Sequence, residues 1–247
     1  MNLTNKTVFI TGANRGIGRA TVKALLDADV KKVYAAARNL DSLPDFGDPR
    51  VVPVAVDITK PATIAFAAAD AGDVNLLINN AGAAHFGSLL DMPRDAIRAD
   101  VDVNYYGTLD MVREFLPVLE KNALGKDDAA AIVNVVTIAA FVNFPGIGGY
   151  SASKAALFSM SQGLRIELAP RGVSVHTVNP GPIDTDMAKD LDMDKTSPEE
   201  AARRIVAGLR DGQADIFPDA GSEQMFGLWQ GNYRDLERAV YDMHHAA

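Results

Sequence analysis

The sequence predicts an α/β chain: a doubly wound sheet of about seven parallel strands, with helices on both faces, in a single domain. Short apolar runs alternate with longer stretches of helical period along the 247 residues, the pattern that βαβ crossovers leave. Several of those runs are apolar at most positions, Ile132–Val136 being broken only by Asn134, as strands covered on both faces are. The first of them, Thr7–Ile10, leads straight into a glycine turn and then a helical stretch.

In the turn, Thr11-Gly12-Ala13-Asn14-Arg15-Gly16-Ile17-Gly18, the glycines leave room for a pyrophosphate to approach the backbone. The helix start behind it offers unpaired N–H groups and a positive dipole end. The spacing is Gly-x-x-x-Gly-x-Gly, not the commoner Gly-x-Gly-x-x-Gly, and an ordinary strand-to-helix connection is the other reading. Ile17, Ala20, Thr21, Ala24, Leu25 and Ala28 repeat at helical spacing after it. The second strand, Lys32–Ala37, ends in Ala37-Arg38-Asn39. An acid there suits the ribose 2′-hydroxyl of NAD, and an arginine suits the 2′-phosphate of NADP. Arg38 occupies the place and Arg15 offers a second charge, although either suits plain solvent exposure too. Asp41 could reach the ribose from further along the loop.

Val51–Val56 is the third strand, closed by Asp57-Ile58, and 61–71 reads as an alanine-rich helix. Asn75–Asn79 is the fourth, running into Asn79-Asn80-Ala81-Gly82 at the carboxyl end of the sheet, where open α/β folds bind ligands. One long helix is expected from about Pro93 to Asn122, with Val101, Tyr105, Thr108, Val112, Phe115 and Leu119 on its apolar face. Asn104 inside it is a mediocre helix former, open to a functional or a plainly structural reading. Leu124–Asp128 is a loop into the fifth strand, Ile132–Val136.

The next helix, Tyr150–Ala169, stops at Pro170-Arg171-Gly172. Leu157, Met160, Leu164 and Leu168 form its apolar face, while Ala152, Ala155, Ser159 and Gly163 form a stripe of small residues. Tyr150 and Lys154 stand one turn apart on one face. A phenol ionises near pH 10, and an ammonium about 4 Å away supplies roughly the 3–4 kcal/mol needed to bring it towards neutrality. The pair is therefore a candidate general acid/base, though the spacing alone arises readily by chance.

Val173–Val178 is the sixth strand, followed by Asn179-Pro180-Gly181-Pro182-Ile183-Asp184-Thr185. The polar stretch 186–197 has the composition of a substrate loop. Pro198 opens a helix to Arg210, Asp215–Phe217 is a seventh strand, and a helical tail begins at about 222.

Net charge is −8 with pI near 5.0, which argues against nucleic-acid or anionic-membrane partners. There is no cysteine, hence no thiol nucleophile, disulfide or thiolate metal site. The histidines show no metal-ligand spacing, and Ser151 and Ser153 show no triad pattern, so metalloenzyme and hydrolase readings are set aside. No signal peptide or membrane span is legible, and the expectation is a soluble cytoplasmic protein.

Taken together, Thr11-Gly12-x-x-x-Gly16-Ile17-Gly18, Asp57, Asn79-Asn80-Ala81-Gly82, Asn104, Tyr150-Ser-Ala-Ser-Lys154 and Asn179-Pro180-Gly181-x-x-x-Thr185 resemble the short-chain dehydrogenase/reductase family over nearly the whole chain. The resemblance implies a Rossmann-like fold and hydride transfer between a nicotinamide cofactor and a small-molecule carbonyl or alcohol. It implies that Tyr150 exchanges a proton with the substrate oxygen, that Lys154 lowers the tyrosine's pKa and holds the nicotinamide ribose, and that Asn104 holds a water linking Lys154 to solvent. Asp57 would contact adenine, Asn80 and Gly82 would lie by the cofactor, and Pro180 to Thr185 would hold its carboxamide side. The implied cofactor set is Gly12, Asn14, Arg15, Gly16, Ile17, Gly18, Arg38, Asp57, Ile58, Asn80, Ala81, Gly82, Tyr150, Lys154, Pro180, Gly181, Ile183 and Thr185. The implied catalytic set is Asn104, Thr137, Tyr150 and Lys154.

Two features depart from the family. Thr137 stands where a serine is usual; it keeps the hydroxyl and adds a methyl that restricts χ1. The segment after the seventh strand is Pro218-Asp219-Ala220-Gly221 and then the helical tail, where many members close with glycine-rich chain, so the implied homo-oligomer could be a dimer or a tetramer. The expected activity is an NADP(H)-dependent carbonyl reductase or secondary-alcohol dehydrogenase. The same chemistry with NAD is the first alternative, and a cofactor-binding sensor without turnover is the second.

Overall fold

The computed structural model describes residues 1–123, 130–189 and 193–245. The strands are β1 (Thr7–Thr11), β2 (Lys32–Ala37), β3 (Val51–Ala55), β4 (Leu76–Asn79), β5 (Ala130–Val135), β6 (Val173–Val178) and β7 (Asp215–Ile216). They form one parallel sheet in the order β3-β2-β1-β4-β5-β6-β7. The order reverses between β1 and β4, and the carboxyl ends of those two strands therefore diverge into a crevice. The loop expected at Leu124–Asp128 lies outside the described residues, as do residues 190–192 of the stretch expected as a substrate loop.

Alternation within the strands assigns side chains to two cores. Val8, Ile10, Leu76, Ile78 and Val133 pack on one face with Val22 and Leu25 of α1 (Gly16–Asp27) and Ile205 and Leu209 of α6 (Pro198–Arg210). Phe9, Leu77 and Ile132 pack on the other with Ile64 of α2 (Pro61–Asp70) and Met111, Phe115 and Leu119 of α4 (Thr108–Ala123). Leu168, at the end of α5 (Gly148–Leu168), joins this second core. Phe9 and Phe115 touch with ring centroids 4.6 Å apart. Pro198 opens α6 and Ser197 caps it, its hydroxyl accepting from Glu200 N at 3.2 Å.

α7 (Ala220–His245) is broken at Asn232 by a non-helical residue. It packs through Leu236 and Val240 on Val142, and through Phe226 and Trp229 on Phe141. Among the described residues, no helix is long and apolar enough to cross a membrane.

The long helix expected from Pro93 to Asn122 is two helices. α3 (Arg94–Val101) passes into a π-helical segment at Asp102–Gly107 before α4 begins. A π turn inserts one residue, so everything before it is rotated by one position. The buried residues there are Asp100, just before the segment, and Asn104, within it, not the Val101 and Tyr105 that an unbroken period selects. Gly107 sits where a Cβ would lie 2.8 Å from the Ile58 carbonyl. The chain leaving β3 thus presses on the helix at the π segment.

The small-residue stripe of α5 is partly open: Ala155 and Gly163 are half-buried. Ala152 and Ser159 are exposed, and a Cβ on Gly163 would have no neighbour within 4 Å.

Candidate active site

A cleft of about 530 Å3 runs along the carboxyl ends of β1, β2, β4 and β5. Its middle is the glycine turn, which is shaped by Asn80. The Asn80 amide donates to the carbonyls of Thr11 (2.9 Å) and Gly12 (3.1 Å), while the Thr11 hydroxyl accepts from Asn80 N and Ala81 N at 3.0 Å each. A Cβ on Gly18 would stand 2.1 Å from Gly12 O and 2.4 Å from the Asn80 amide nitrogen. Gly12 has φ +67° and carries the same restriction.

Helix α1 starts at this point without a side-chain cap and without an acid in its first turn. Its N–H groups and dipole face the cleft from Gly16, Ile17 and Gly18, as a bound diphosphate requires. The residues present therefore fit a dinucleotide.

At one end the cleft is lined by Arg38, Asn39, Ser42, Asp57, Ile58 and Thr59. Arg38 is exposed, whereas Asp41 is not part of the lining. Desolvation opposes ionisation of Asp57, but hydrogen bonds from the Thr59 hydroxyl and amide and from Lys60 outweigh it and hold its pKa below the usual carboxylate value. Arg15 forms a solvent-exposed ion pair with Asp186 at 3.0 Å, bridging the glycine turn to the chain after Thr185.

Tyr150, Lys154, Gly82, Ala83 and Val135 line the other end. The Lys154 ammonium is buried and donates to Val135 O at 2.8 Å. It lies 5.9 Å from the centroid of the Tyr150 ring. Burial pushes Lys154 down to about 8, partly opposed by the charge of Asp100. Desolvation pushes Tyr150 up to about 12; a hydrogen bond with the Thr137 hydroxyl pulls the other way, and Asp100 adds to the rise. The expected depression of the phenol by its neighbouring lysine is therefore absent from this arrangement. The ammonium bonds to a strand carbonyl and not to the phenol, so spacing on the helix brought the two side chains together without aligning their polar ends.

Thr137 is buried; its hydroxyl donates to Pro180 O (3.1 Å) and accepts from Ala139 N (3.2 Å). The Asn104 side chain is fully engaged, its amide donating to Ala83 O and the Ser153 hydroxyl (2.8 Å each) and its oxygen accepting from Ala83 N (2.9 Å). A Cβ on Gly82 would lie 3.1 Å from that oxygen and 3.4 Å from the Lys154 nitrogen, so glycine lets the two approach.

Of the residues singled out from sequence, Gly12, Asn14, Arg15, Gly16, Ile17, Gly18, Arg38, Asp57, Ile58, Asn80, Ala81, Gly82, Tyr150, Lys154, Pro180 and Thr185 line the cleft. Asn104 and Thr137 stand directly behind it. Gly181 and Ile183 are turned away: Gly181 N donates to Asp219 at 2.8 Å, and Ile183 is buried and bridges to Thr196. Sequence reading passed over Asn39, Ser42, Asp186 and Met187, which also line the cleft. It also missed Asp219, a buried carboxylate that accepts from Gly181 N and from the amide and hydroxyl of Ser222. An Asp three residues before a Ser at a helix start was the available signal for Asp219.

The family model described as short chain dehydrogenase matches residues 6–196. The short chain dehydrogenase tazN of Aspergillus terreus is 34% identical over 199 residues, covering 76% of this chain, and the match spans 43% of that relative's length. Carbonyl reductase (NADPH) 2 of Sus scrofa is 30% identical over 206 residues, 83% of this chain and 81% of the relative. A crystal structure of a short chain dehydrogenase from Burkholderia cenocepacia J2315 in complex with NADP superposes with a TM-score of 0.90 at 38% identity, covering 97% of this chain and 99% of that one.

The buried Lys154 has a consequence for stability. Below its folded value of about 8, both the folded and unfolded chains carry the ammonium, and the folded chain bears the full desolvation cost. Between about 8 and 10.5 the unfolded chain binds more protons, so stability rises with pH and the cost fades. The cost is about 3 kcal/mol by this linkage, and about 1 kcal/mol of hydrogen bonding to Val135 offsets it. Lys154→Met should therefore be more stable than wild type by about 2 kcal/mol at pH 7 in urea unfolding. The difference should shrink between pH 8 and 10.5, and a constant or growing difference contradicts the buried-ammonium account.

Proposed function

This chain belongs to the short-chain dehydrogenase family, and from that premise we propose that it is an NADP(H)-dependent carbonyl reductase or secondary-alcohol dehydrogenase with Tyr150 as its general acid/base. The observation that carries the proposal is one continuous cleft, with a free helix start in its middle, Arg38 at one end and Tyr150 with Lys154 at the other. Family membership gives the coarser chemistry, hydride transfer with a nicotinamide nucleotide and a small-molecule substrate. A nicotinamide held there supplies or accepts the hydride.

Gly12 to Gly18 receive the diphosphate, Asp57 and Ile58 face the adenine, and Arg38 takes the 2′-phosphate with Ser42 and Asn39 beside it. Asn14, Arg15, Asn80, Ala81 and Gly82 line the path between, and Pro180 and Thr185 border the carboxamide. Gly181 and Ile183 act from behind that loop, by holding it to Asp219 and Thr196. The NADP assignment draws support from Arg38 at the end of β2, from the absence of Asp41 in the lining, and from the NADP bound by the Burkholderia relative.

Tyr150 donates its proton to the substrate oxygen as negative charge builds there. Pushed up to about 12, the phenol is fully protonated at neutral pH but is a weak acid, so proton transfer depends on stabilising the phenolate as it forms. Lys154 stabilises the phenolate left behind, in a site dry enough for a single charge to count heavily. Thr137 has one proton, for which Pro180 O and the Tyr150 oxygen are the two acceptors. Turning it to the reacting oxygen would release Pro180 and strengthen the site as charge develops. The Asn104 amide has no hydrogen left for a water, so a water joining Lys154 to solvent would have to donate to an Asn104 oxygen. The protein is proposed to work in the cytoplasm as a homo-oligomer, dimer or tetramer, with 186–197 as its substrate loop and the chain from about 222 as a helical tail.

Three substitutions test this reading through the absorbance of the nicotinamide with a panel of ketones and aldehydes. Tyr150→Phe should lose turnover by a thousandfold or about that while still binding cofactor; retention of more than a few per cent of the rate removes Tyr150 from the role.

Arg38→Asp should raise the KM for NADPH by at least about tenfold and leave NADH far less affected, since one lost charge-assisted bond is worth about 1.5–3 kcal/mol. Equal losses for both cofactors argue against a 2′-phosphate contact.

Thr137→Ser keeps both hydrogen bonds and should keep activity, whereas Thr137→Val should cost about a hundred- to a thousandfold, the usual loss of an oxyanion donor. Valine at or above serine leaves Thr137 as packing only.

A further inference from the structure

Asp219 is buried, 3% exposed, and stands behind the cleft immediately before α7. Its Oδ1 accepts from Ser222 N at 2.8 Å, the ordinary bond by which the residue before a helix caps it. That bond needs one oxygen. The other, Oδ2, accepts from Gly181 N at 2.8 Å, 38 residues away, and lies 2.9 Å from the Ser222 hydroxyl. That hydroxyl has a single proton, for which the Asp219 carbonyl is the second acceptor, also at 2.9 Å. Serine or asparagine would cap α7 as well, so capping alone does not call for a carboxylate here.

The second oxygen meets one particular peptide group. Pro180 and Pro182 carry no N–H, so Gly181 supplies the single backbone donor of the turn from 180 to 182. The carbonyl of the same peptide, Pro180 O, accepts from Ile138 N at 2.9 Å and from the Thr137 hydroxyl at 3.1 Å. One planar group thus has a carboxylate at its N–H and Thr137 at its oxygen, and planarity makes the two ends turn together. Glycine admits the carboxylate, since a Cβ at 181 would lie 2.7 Å from Asp219 Oδ1. A hydrogen bond to a carboxylate is about twice as strong as a neutral one, and it polarises the peptide so that its carbonyl accepts more strongly. The same helix braces the other side of the site. Phe226 and Trp229 pack on Phe141, with ring centroids 5.3 and 5.2 Å away, just past the turn that Thr137 caps.

We propose that Asp219 is a positioning residue of the site: by fixing the Pro180–Gly181 peptide it sets where Pro180 O stands and so directs the Thr137 hydroxyl. Held in this direction, Pro180 O draws the Thr137 proton and keeps the turn seated against the cleft, which Pro180 lines. Released from Asp219, the peptide is free to rotate about the backbone bonds on either side of it. The bonds from Ile138 N and Thr137 would then be lost with the carbonyl that accepts them. The part of this inference that concerns the cofactor rests on the reductase reading; the part that joins Asp219 to Thr137 through the peptide does not.

Two amides report on the two ends of the peptide by nuclear magnetic resonance of the purified full-length protein. Carbonyl-labelled proline with nitrogen-labelled glycine selects Gly146 and Gly181, the glycines that follow a proline. Carbonyl-labelled threonine with nitrogen-labelled isoleucine selects Ile64 and Ile138. Asp219→Ser keeps a capping hydroxyl but offers one oxygen, a bond nearer the backbone, to two N–H groups. Ser222→Ala alters the cap and leaves the Gly181 bond in place. In Asp219→Ser the amide protons of Gly181 and Ile138 should both move upfield while Gly146 and Ile64 stay. In Ser222→Ala Ile138 should stay as well. NADPH affinity, read from the fluorescence of the bound nicotinamide, should fall about three- to tenfold in Asp219→Ser, as loss of one hydrogen bond entails. Adenosine 2′,5′-bisphosphate, which has no nicotinamide end, should keep its affinity within about twofold. An unmoved Ile138 overturns the proposal, and so does an unchanged NADPH affinity or an equal loss for both nucleotides. If Asp219→Ser does not fold, Gly181→Ala displaces the carboxylate from the other side, and an unmoved Ile138 there overturns it too. A wild-type protein that binds neither nucleotide defeats the reductase reading, and the Ile138 amide still decides the link from Asp219 to Thr137.

Discussion

The Asn80 amide occupies space that two Cβ atoms would otherwise claim, and the position of the whole cleft follows from that close approach. With glycine at 12 and 18, the amide reaches the carbonyls of Thr11 and Gly12 and joins the end of β4 to the turn after β1. The Thr11 hydroxyl closes the junction from the other side by accepting from Asn80 N and Ala81 N. Four hydrogen bonds thus fix the two strand ends on either side of the point where the sheet order reverses. The glycines have two tasks: they expose the helix start to a diphosphate, and they admit the side chain that sets the crevice. The second task explains why position 18 tolerates no side chain, since a Cβ there would strike backbone that cannot yield.

A second constraint orders the catalytic end. The π segment at Asp102–Gly107 shifts the upstream helix by one residue, and this shift turns Asp100 and Asn104 inward. In an unbroken helix Val101 and Tyr105 would face the chain after β4, and neither could clamp Ala83 and His85. Insertions of this kind are retained where a polar side chain must be aimed. The free energy lost in irregular helix hydrogen bonding is offset here by buried polar groups that all find partners, Asn104 with three bonds and Asp100 with two. The glycine at 107 admits the Ile58 backbone on the opposite side, and the same loop supplies Asp57 and Ile58 to the cleft.

The sheet was legible because most strands are short, largely apolar runs that a single physical rule, burial on both faces, distinguishes from helix; β3, at the edge, is only partly buried. Lys32–Ala37 and Val173–Val178 emerged with both ends as read, and the remaining strands differ by one or two residues at their ends, where the last hydrogen bond is a matter of pairing and not of composition. The π segment was not legible, since one inserted residue leaves hydrophobic spacing almost unchanged over a single turn. Cleft residues carried on glycine turns were readable because only glycine permits the geometry. Those carried by contact, such as Asp219 under Gly181, depend on chain segments 38 residues apart and leave only a weak local trace. The orientation of the Lys154 nitrogen fell in the same class: i,i+4 spacing fixes a shared face, but the choice between Val135 O and the phenol is made by β5, not by the helix.

That choice also explains why stability and chemistry pull in opposite directions at this site. An ammonium with one protein acceptor and almost no water is costly, and an apolar residue of similar length would fold better. The cost is sensible only if the charge is used, and burial is what makes it useful. In a low dielectric the same charge that destabilises the folded chain stabilises a phenolate beside it far more than it would at the surface. A directly paired lysine would be less costly to bury but less available to the tyrosine. Lys154 instead gives its hydrogen bond to the neutral Val135 O, which leaves its charge uncompensated.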